Sequence, residues 1–227
     1  MTYQLIIFDW DGTLIDSEAH IVACFQRAAL DLGLPLLSRA AVRNIIGLGL
    51  VEASAVLLPE LDGVGRQTLA DRYRHHYFLS AEPIPSSPFP GVEETLCRLY
   101  DNGHLLAVAT GKSRRGLDRA LRETNLGHFF HTTRCADETH SKPNPQMLLE
   151  ILEELELNPG HAVMIGDTEY DMEMAHNAAM ARIAVSYGVH EVERLQRWRP
   201  LTCLDDLPAL CTWLANSPKS ERSGIGT

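Results

Sequence analysis

The chain has 227 residues, 45% of them hydrophobic and 22% charged, a balance that suits one globular core with a smaller inserted unit and excludes disordered, collagenous and coiled-coil classes. Asp and Glu number 30 against 20 Lys and Arg, a formal net charge of −10. That field repels nucleic-acid phosphates, so no nucleic-acid partner is expected, and an anionic substrate must be met by a metal or by a few local cations.

Leu5 to Phe8 is a short run apolar on both faces, as a buried parallel strand requires. It leads directly into Asp9-Trp10-Asp11-Gly12-Thr13, two carboxylates at the carboxyl end of a strand, where open α/β sheets bind ligands. An acidic turn capped by Asp16 or Ser17 would use the same residues. A calcium loop would not, because its twelfth position, counted from Asp9, is His20 rather than Glu. From Ser17 to Glu82 the pattern is amphipathic and helical: Ile21, Phe25, Ala28, Ala29 and Leu32 share one face, and Leu69, Tyr73, His76 and Tyr77 another. Turn chemistry at Asp16-Ser17 and at Pro83 to Pro88 brackets this stretch, which reads as a helical insertion after the first strand.

Beyond it, helical segments Val92 to Tyr100, Leu117 to Glu123, Pro145 to Leu155 and Met172 to Asn177 alternate with apolar runs Leu105 to Ala109, Ala162 to Ile165 and Ile183 to Val185. The alternation predicts an α/β, doubly wound (Rossmann-like) parallel sheet. The expected organisation is a core from residues 1–16 and 83–216, an all-helical cap over 17–82, and a flexible, Ser- and Gly-rich tail over 217–227. Five scattered cysteines give neither a zinc spacing nor a disulfide framework and read as reduced thiols. With no signal-peptide pattern and no long apolar run, the expectation is a cytoplasmic protein with no membrane partner.

Other candidate residues fall at element junctions. Gly166-Asp167-Thr168-Glu169-Tyr170-Asp171 follows a strand, and Thr168 with Asp171 matches a capping box that accounts for Asp171 but not for Asp167. Thr110-Gly111-Lys112-Ser113 lacks the first glycine of a nucleotide P-loop, since Leu106 stands there, and Gly47-Leu48-Gly49 lacks the third glycine of a dinucleotide fingerprint. Lys142-Pro143-Asn144-Pro145 precedes a helix, with Asn144 as its expected N-cap and Pro145 at its first position. Carboxylates, a hydroxyl and a lysine at one sheet edge suit a Mg²⁺-assisted phosphoryl site. Asp9 and Asp167 are placed to chelate the metal, Lys142 and Thr110 to bind phosphate oxygens, and Asp11 to move a proton.

These motifs resemble the haloacid dehalogenase-like hydrolases, and among them the phosphoglycolate phosphatase-like branch with a helical cap after the first motif. The resemblance spans roughly residues 4 to 215. It implies that Asp9 is a nucleophile forming an aspartyl-phosphate and that Asp11 is the general acid and base. It further implies Mg²⁺ on the side chains of Asp9 and Asp167 and the backbone carbonyl of Asp11, with Thr110 and Lys142 as the second and third motifs. Asp171 is the second acid of the fourth motif, which in relatives approaches the metal or braces the lysine. Two departures stand out: Gly111 where many relatives have Asn, leaving only a backbone amide to donate, and Ala179-Met180 where relatives often carry an Ala-Gly pair.

In such a family the cap reads the substrate, and the candidates here are His20, Arg43 and the Gly47 to Leu50 loop, although His20 and Arg43 also read as surface residues. Lys112, Arg114 and Arg115 are either a basic lip or a solvated helix start, and His75-His76 are packed or solvated rather than ligands. Halide leaves without a proton, so Asp11 speaks against a dehalogenase and for phosphate esters. The expected function is hydrolysis of a small phosphorylated metabolite by a monomer or small homo-oligomer. A phosphomutase of the β-phosphoglucomutase type is the alternative, separable by phosphate transfer to a second sugar position; a non-catalytic binding protein would have no use for all of Asp9, Asp11, Lys142 and Asp167.

Overall fold

The computed structural model describes residues 3–79 and 84–216. The boundary drawn at 82/83 and the tail from 217 lie outside the described residues. In chain order the elements are β1 (Leu5–Phe8), β2 (Ile15–Asp16), α1 (Glu18–Asp31), α2 (Arg39–Ile45), α3 (Leu50–Leu57), α4 (Gly63–Leu79), β3 (Ser87–Pro88), α5 (Val92–Asp101) and β4 (Leu105–Thr110). They continue with α6 (Arg114–Thr124), β5 (Thr132–Cys135), α7 (Gln146–Glu154), β6 (Ala162–Gly166), α8 (Glu169–Asn177), β7 (Ala181–Val185), α9 (Val192–Gln196), β8 (Cys203–Leu204) and α10 (Ala209–Asn216).

Among the described residues β1, β4, β5, β6, β7 and β8 form one parallel sheet in the order β5-β4-β1-β6-β7-β8. Strand side chains alternate between faces, so Ile6 and Phe8 enter one apolar layer with Leu96, Leu117 and Leu210, while Leu5 and Ile7 enter the other with Met147, Ile151 and Met174. Helices therefore cover both faces, as a doubly wound sheet demands. The chain runs outward from β1 through β4 to β5, then returns to the opposite side of β1 as β6. That reversal makes β1 the switch point, where the carboxyl ends part and leave a crevice.

Helices α1 to α4 lie between β2 and β3 and bury an apolar cluster of their own, in which Ile21, Phe25, Ala28 and Ala29 of α1 meet Leu69 and Tyr73 of α4. The antiparallel pairs Ile15 with Pro88 and Asp16 with Ser87 clasp the entry and exit of this helical unit. His76 does not join that cluster; its Nε2 lies 2.8 Å from Asp31 Oδ2. No helix among the described residues is long and apolar enough to cross a membrane.

Two features differ from the sequence reading, and a third adds to it. Strand β5 has no apolar run to announce it, because an edge strand with Thr133 and Arg134 only half-buried needs few hydrophobic residues. Helix α7 begins at Gln146 with Pro145 as its N-cap, one residue later than expected, and Asn144 Oδ1 accepts from the Gln146 amide at 3.0 Å. At the end of α8, Ala179 adopts a left-handed φ of 51°, a conformation that glycine would reach at lower cost.

Candidate active site

Register brings the predicted motifs together. Phe8 pairs with Val108 on one side and Ile165 on the other, so Asp9, Thr110 and Asp167, each one or two residues further on, emerge at one rim. All three are fully buried. Lys142 enters from the segment before α7 and is 2% exposed. Its Nζ donates to Asp9 Oδ1 at 2.6 Å and to Asp171 Oδ1 at 2.7 Å.

Each carboxylate is held differently. Asp167 accepts from the Thr13 hydroxyl and from the Val189 amide, both at 2.8 Å. Gly12 and Gly188 press against it so closely that a Cβ on either would sit 2.2 Å from its side chain. Asp171 Oδ2 accepts from the Thr168 amide and hydroxyl, completing the predicted capping box, while Oδ1 takes Lys142. Asp171 thus braces the lysine and the start of α8, and its carboxylate also stands beside those of Asp9 and Asp167. Asp9 Oδ2 is buried with no hydrogen-bond partner among the described residues, an arrangement that costs free energy unless something else occupies it.

Carboxylate oxygens of Asp9, Asp167 and Asp171 lie within 4.8 Å of one another. Burial, with the charges of Asp171 and Asp167, pushes the Asp9 carboxyl well above the usual range despite Lys142. Asp167 is raised to about 7 by burial first and by Asp171 next, against its hydrogen bonds. Burial opposes the charge on Lys142, yet Asp171 and Asp9 hold it protonated. An unpartnered carboxylate oxygen among three crowded acids is the donor set that a hard divalent cation fits.

Asp11 stands apart from this cluster. Its Oδ1 accepts from Ser17 Oγ at 2.5 Å and from Lys112 Nζ at 2.9 Å. Ser17 precedes α1 but makes no side-chain cap bond, so its hydroxyl serves the carboxylate instead of the helix. Thr110 Oγ1 accepts from the Lys112 amide at 3.2 Å. No local pattern marks Ser17, Thr13 or Lys112 as a carboxylate partner; Thr13 and Ser17 lie in the segment that carries Asp9 and Asp11, but their hydrogen bonds depend on the turn after β1.

The helical unit is seated on this rim. Gly49 donates its amide to Ser141 Oγ at 2.8 Å, and Tyr170 Oη donates to the Asn44 carbonyl at 2.8 Å. Arg43 donates to the Val189 carbonyl at 2.8 Å and lies 3.5 Å from Glu18, so its guanidinium links helix to core. His20 stacks on Tyr77 with ring centroids 4.9 Å apart, and its buried Nε2 has no hydrogen-bond partner among the described residues. The basic trio divides. Lys112 is buried on Asp11, Arg114 binds Glu138, Asp118 and Thr133, and Arg115 lies over the Phe78 ring, so the solvated-start reading fails for Lys112.

Gly111 is explained by this contact: a Cβ there would meet the carbonyl oxygens of Gly47 at 2.5 Å and Leu48 at 2.6 Å. Backbone cannot yield as a flexible side chain can, so Gly111→Ala is expected to lift the Gly47-Leu48 loop off the rim. Turnover should fall by about tenfold or more, with β1 and its neighbours intact by circular dichroism; unchanged turnover would refute the role of this contact.

His190 supplies a second link. Its Nδ1 accepts from the Glu169 amide at 3.1 Å, which leaves Nε2 to donate to the Asn44 carbonyl at 3.2 Å. Burial first, then Arg194, lowers its pKa to about 4. The depressed value means that the neutral form stabilises the fold above pH 6.5, and that this contribution, up to about 3 kcal/mol, is lost as pH falls to 4. Denaturant titrations should show a smaller loss over that window in His190→Asn than in the wild type; parallel curves would reject it.

With this geometry in hand, the comparisons with known proteins are specific. The family model for haloacid dehalogenase-like hydrolases matches residues 6–185. A protein named "Probable phosphatase IndB", from Dickeya dadantii (strain 3937), is 37% identical over 88% of this chain and 89% of its own length. A phosphoglycolate phosphatase of Psychrobacter arcticus is 31% identical over 94% and 96%. A crystal structure described as a predicted phosphoglycolate phosphatase from Haemophilus somnus 129PT superposes with a TM-score of 0.85 at 25% identity, over 94% of this chain and 99% of the other. The chain belongs to the haloacid dehalogenase-like hydrolase family. Within it the chain falls on the phosphoglycolate phosphatase-like branch, and as an enzyme it is a phosphatase.

Proposed function

We propose that this enzyme is a Mg²⁺-dependent phosphatase of a small phosphorylated metabolite, of the phosphoglycolate type, working through an aspartyl-phosphate on Asp9. The observation that carries the reading is the division of labour between two aspartates. Asp9 is wholly buried with one oxygen on Lys142 and one without a partner, while Asp11 is held separately by Ser17 and Lys112. The first arrangement suits a nucleophile and the second an acid and base.

Asp9 and Asp167 would hold the cation by their side chains, with Asp171 bracing Lys142. Mg²⁺ when bound supplies positive charge that relieves the crowded carboxylates and offsets charge on the phosphoryl oxygens. A carboxylate oxygen of Asp9 attacks phosphorus as the ester P–O bond breaks, and Asp11 gives its proton to the departing alkoxide. Asp11 then takes a proton from water, whose oxygen attacks phosphorus, so that inorganic phosphate leaves and Asp9 is restored. Lys142 and Thr110 meet the phosphoryl oxygens, and Lys142 answers locally the field of the net −10. The seated helical unit excludes water other than the attacking one.

Phosphate release from phosphoglycolate, pyrophosphate, sugar phosphates, nucleoside monophosphates and an aryl phosphate tests this. Release should require Mg²⁺, vanish with a chelator, return on adding the metal back, and be absent in Asp9→Asn. Release that survives exhaustive chelation would remove the metal from the mechanism, and transfer to a second sugar hydroxyl in place of water would make the enzyme a mutase.

A further inference from the structure

The pairing between Lys112 and Asp11 has a further partner. Lys112 Nζ lies 5.0 Å from the centroid of the Tyr77 ring, on the last turns of α4. Around that contact the start of α6 grips the same end of α4. Arg119 donates to the Tyr77 and Phe78 carbonyls at 3.3 and 3.4 Å, and Arg115 stands over the Phe78 ring at 4.2 Å. The carbonyls at a helix C-terminus lack intrahelical partners and attract cations, so α4 is fixed to the core at this point.

Lys112 is thus the one cation of the group that touches both the helical unit and a carboxylate of the reaction. Its side chain is 8% exposed and that of Asp11 10%. Burial opposes its charge, while Asp11 and Tyr77 keep it protonated. Asp11, Tyr77 and Lys112 also line two cavities beside Asp11, one largely apolar beneath α1 to α4 and one bounded by residues 84–88. The three side chains therefore form a wall shared by the two cavities beside Asp11.

We infer that Lys112 is a positioning residue that sets the Asp11 carboxyl for proton delivery to the leaving group, and that it does so while the C-terminal turn of α4 is seated through Tyr77. The inference rests on the phosphatase reading of Asp11 given above. Ser17, six positions along the chain at the N-cap of α1, also donates to Asp11 Oδ1. Lys112 fixes it from the side of α4, so seating of α4 and aiming of Asp11 become one event.

A leaving group that needs no proton separates positioning of the acid from a general loss of positive charge. The ratio of kcat/KM reports the first step, transfer of the phosphoryl group to Asp9. In Lys112→Met, which keeps the volume of the stem, kcat/KM for an alkyl phosphate should fall by about 100-fold, against less than about threefold for 4-nitrophenyl phosphate. Tyr77→Leu should shift the same ratio in the same direction by a smaller factor, and Lys112→Arg should restore part of it. Equal losses on both esters, or an unchanged ratio in either Lys112→Met or Tyr77→Leu, would overturn the inference.

A second measurement reads the contact without turnover. In ¹⁵N-lysine-labelled protein the Lys112 ammonium, assigned by its absence in Lys112→Met, should give slowly exchanging protons that Tyr77→Leu abolishes. Persistence in Tyr77→Leu would overturn the coupling to α4 even with full activity. A wild type that hydrolyses no ester, with this signal behaving as expected, would count against the phosphatase reading and leave the contact standing.

Discussion

Asp9→Asn is expected to lose turnover by about 10³-fold or more, roughly 4 kcal/mol, while its metal-free melting temperature stays level or rises. The two halves of this expectation have one cause. Asp9 is buried against Asp171 and Asp167, and its carboxyl is pushed upward by that burial and by those neighbours. An amide of the same shape removes a charge that the fold holds at a cost, and Lys142 keeps Asp171 as a partner at 2.7 Å. Active sites often store destabilisation of this kind, and removing it exchanges activity for stability. Mg²⁺ should then raise the melting temperature of the wild type, since a ligand bound only by the folded state stabilises it, and should raise that of Asp9→Asn by less. Calorimetry with and without the metal, beside phosphate release, checks all three statements. An Asp9→Asn protein that turns over at the wild-type rate would end the nucleophile assignment, and one that unfolds would end the account of stored repulsion.

Much of this arrangement was legible from residue order because the core strands are buried on both faces. Leu5 to Phe8 and Ala162 to Ile165 have no polar face to confuse their reading, and the acids that follow each run stand where the strand releases them. The capping box at Thr168 was equally legible, being a contact across three residues. What stayed hidden depends on pairs far apart in the chain. Thr13 meets Asp167 across 154 positions and Lys112 meets Asp11 across 101, so neither partner is marked by any local pattern. Gly111 was visible as a departure from relatives, but its reason, the carbonyls of Gly47 and Leu48, exists only once α2 and α3 lie on the rim. Strand β5 is hidden for the opposite reason: an edge strand with Thr133 and Arg134 half-buried carries too little apolar signal.

Lys142→Ala should behave unlike Asp9→Asn, losing activity and stability together. Lys142 is the cation shared by two buried carboxylates, at 2.6 and 2.7 Å. Its removal leaves the buried Asp9 and Asp171 without their shared cation, and breaking a buried pair by deleting one partner costs about 3–5 kcal/mol. Turnover should fall by at least about tenfold, 1.4 kcal/mol, since the lysine no longer meets phosphoryl charge; a smaller effect would assign that task to Lys112. A double variant separates the two losses. In Lys142→Met with Asp171→Asn the lysine stem is replaced by an apolar chain of similar length and one stranded charge is neutralised, so much of the stability should return. Activity should not, because neither substitution restores a cation beside Asp9. Denaturant midpoints and turnover for the singles and the double close the cycle. Coupled recovery of both quantities would show that Lys142 acts on the reaction only by holding the fold, whereas recovery of stability alone leaves it a chemical role at the Asp9 carboxylate.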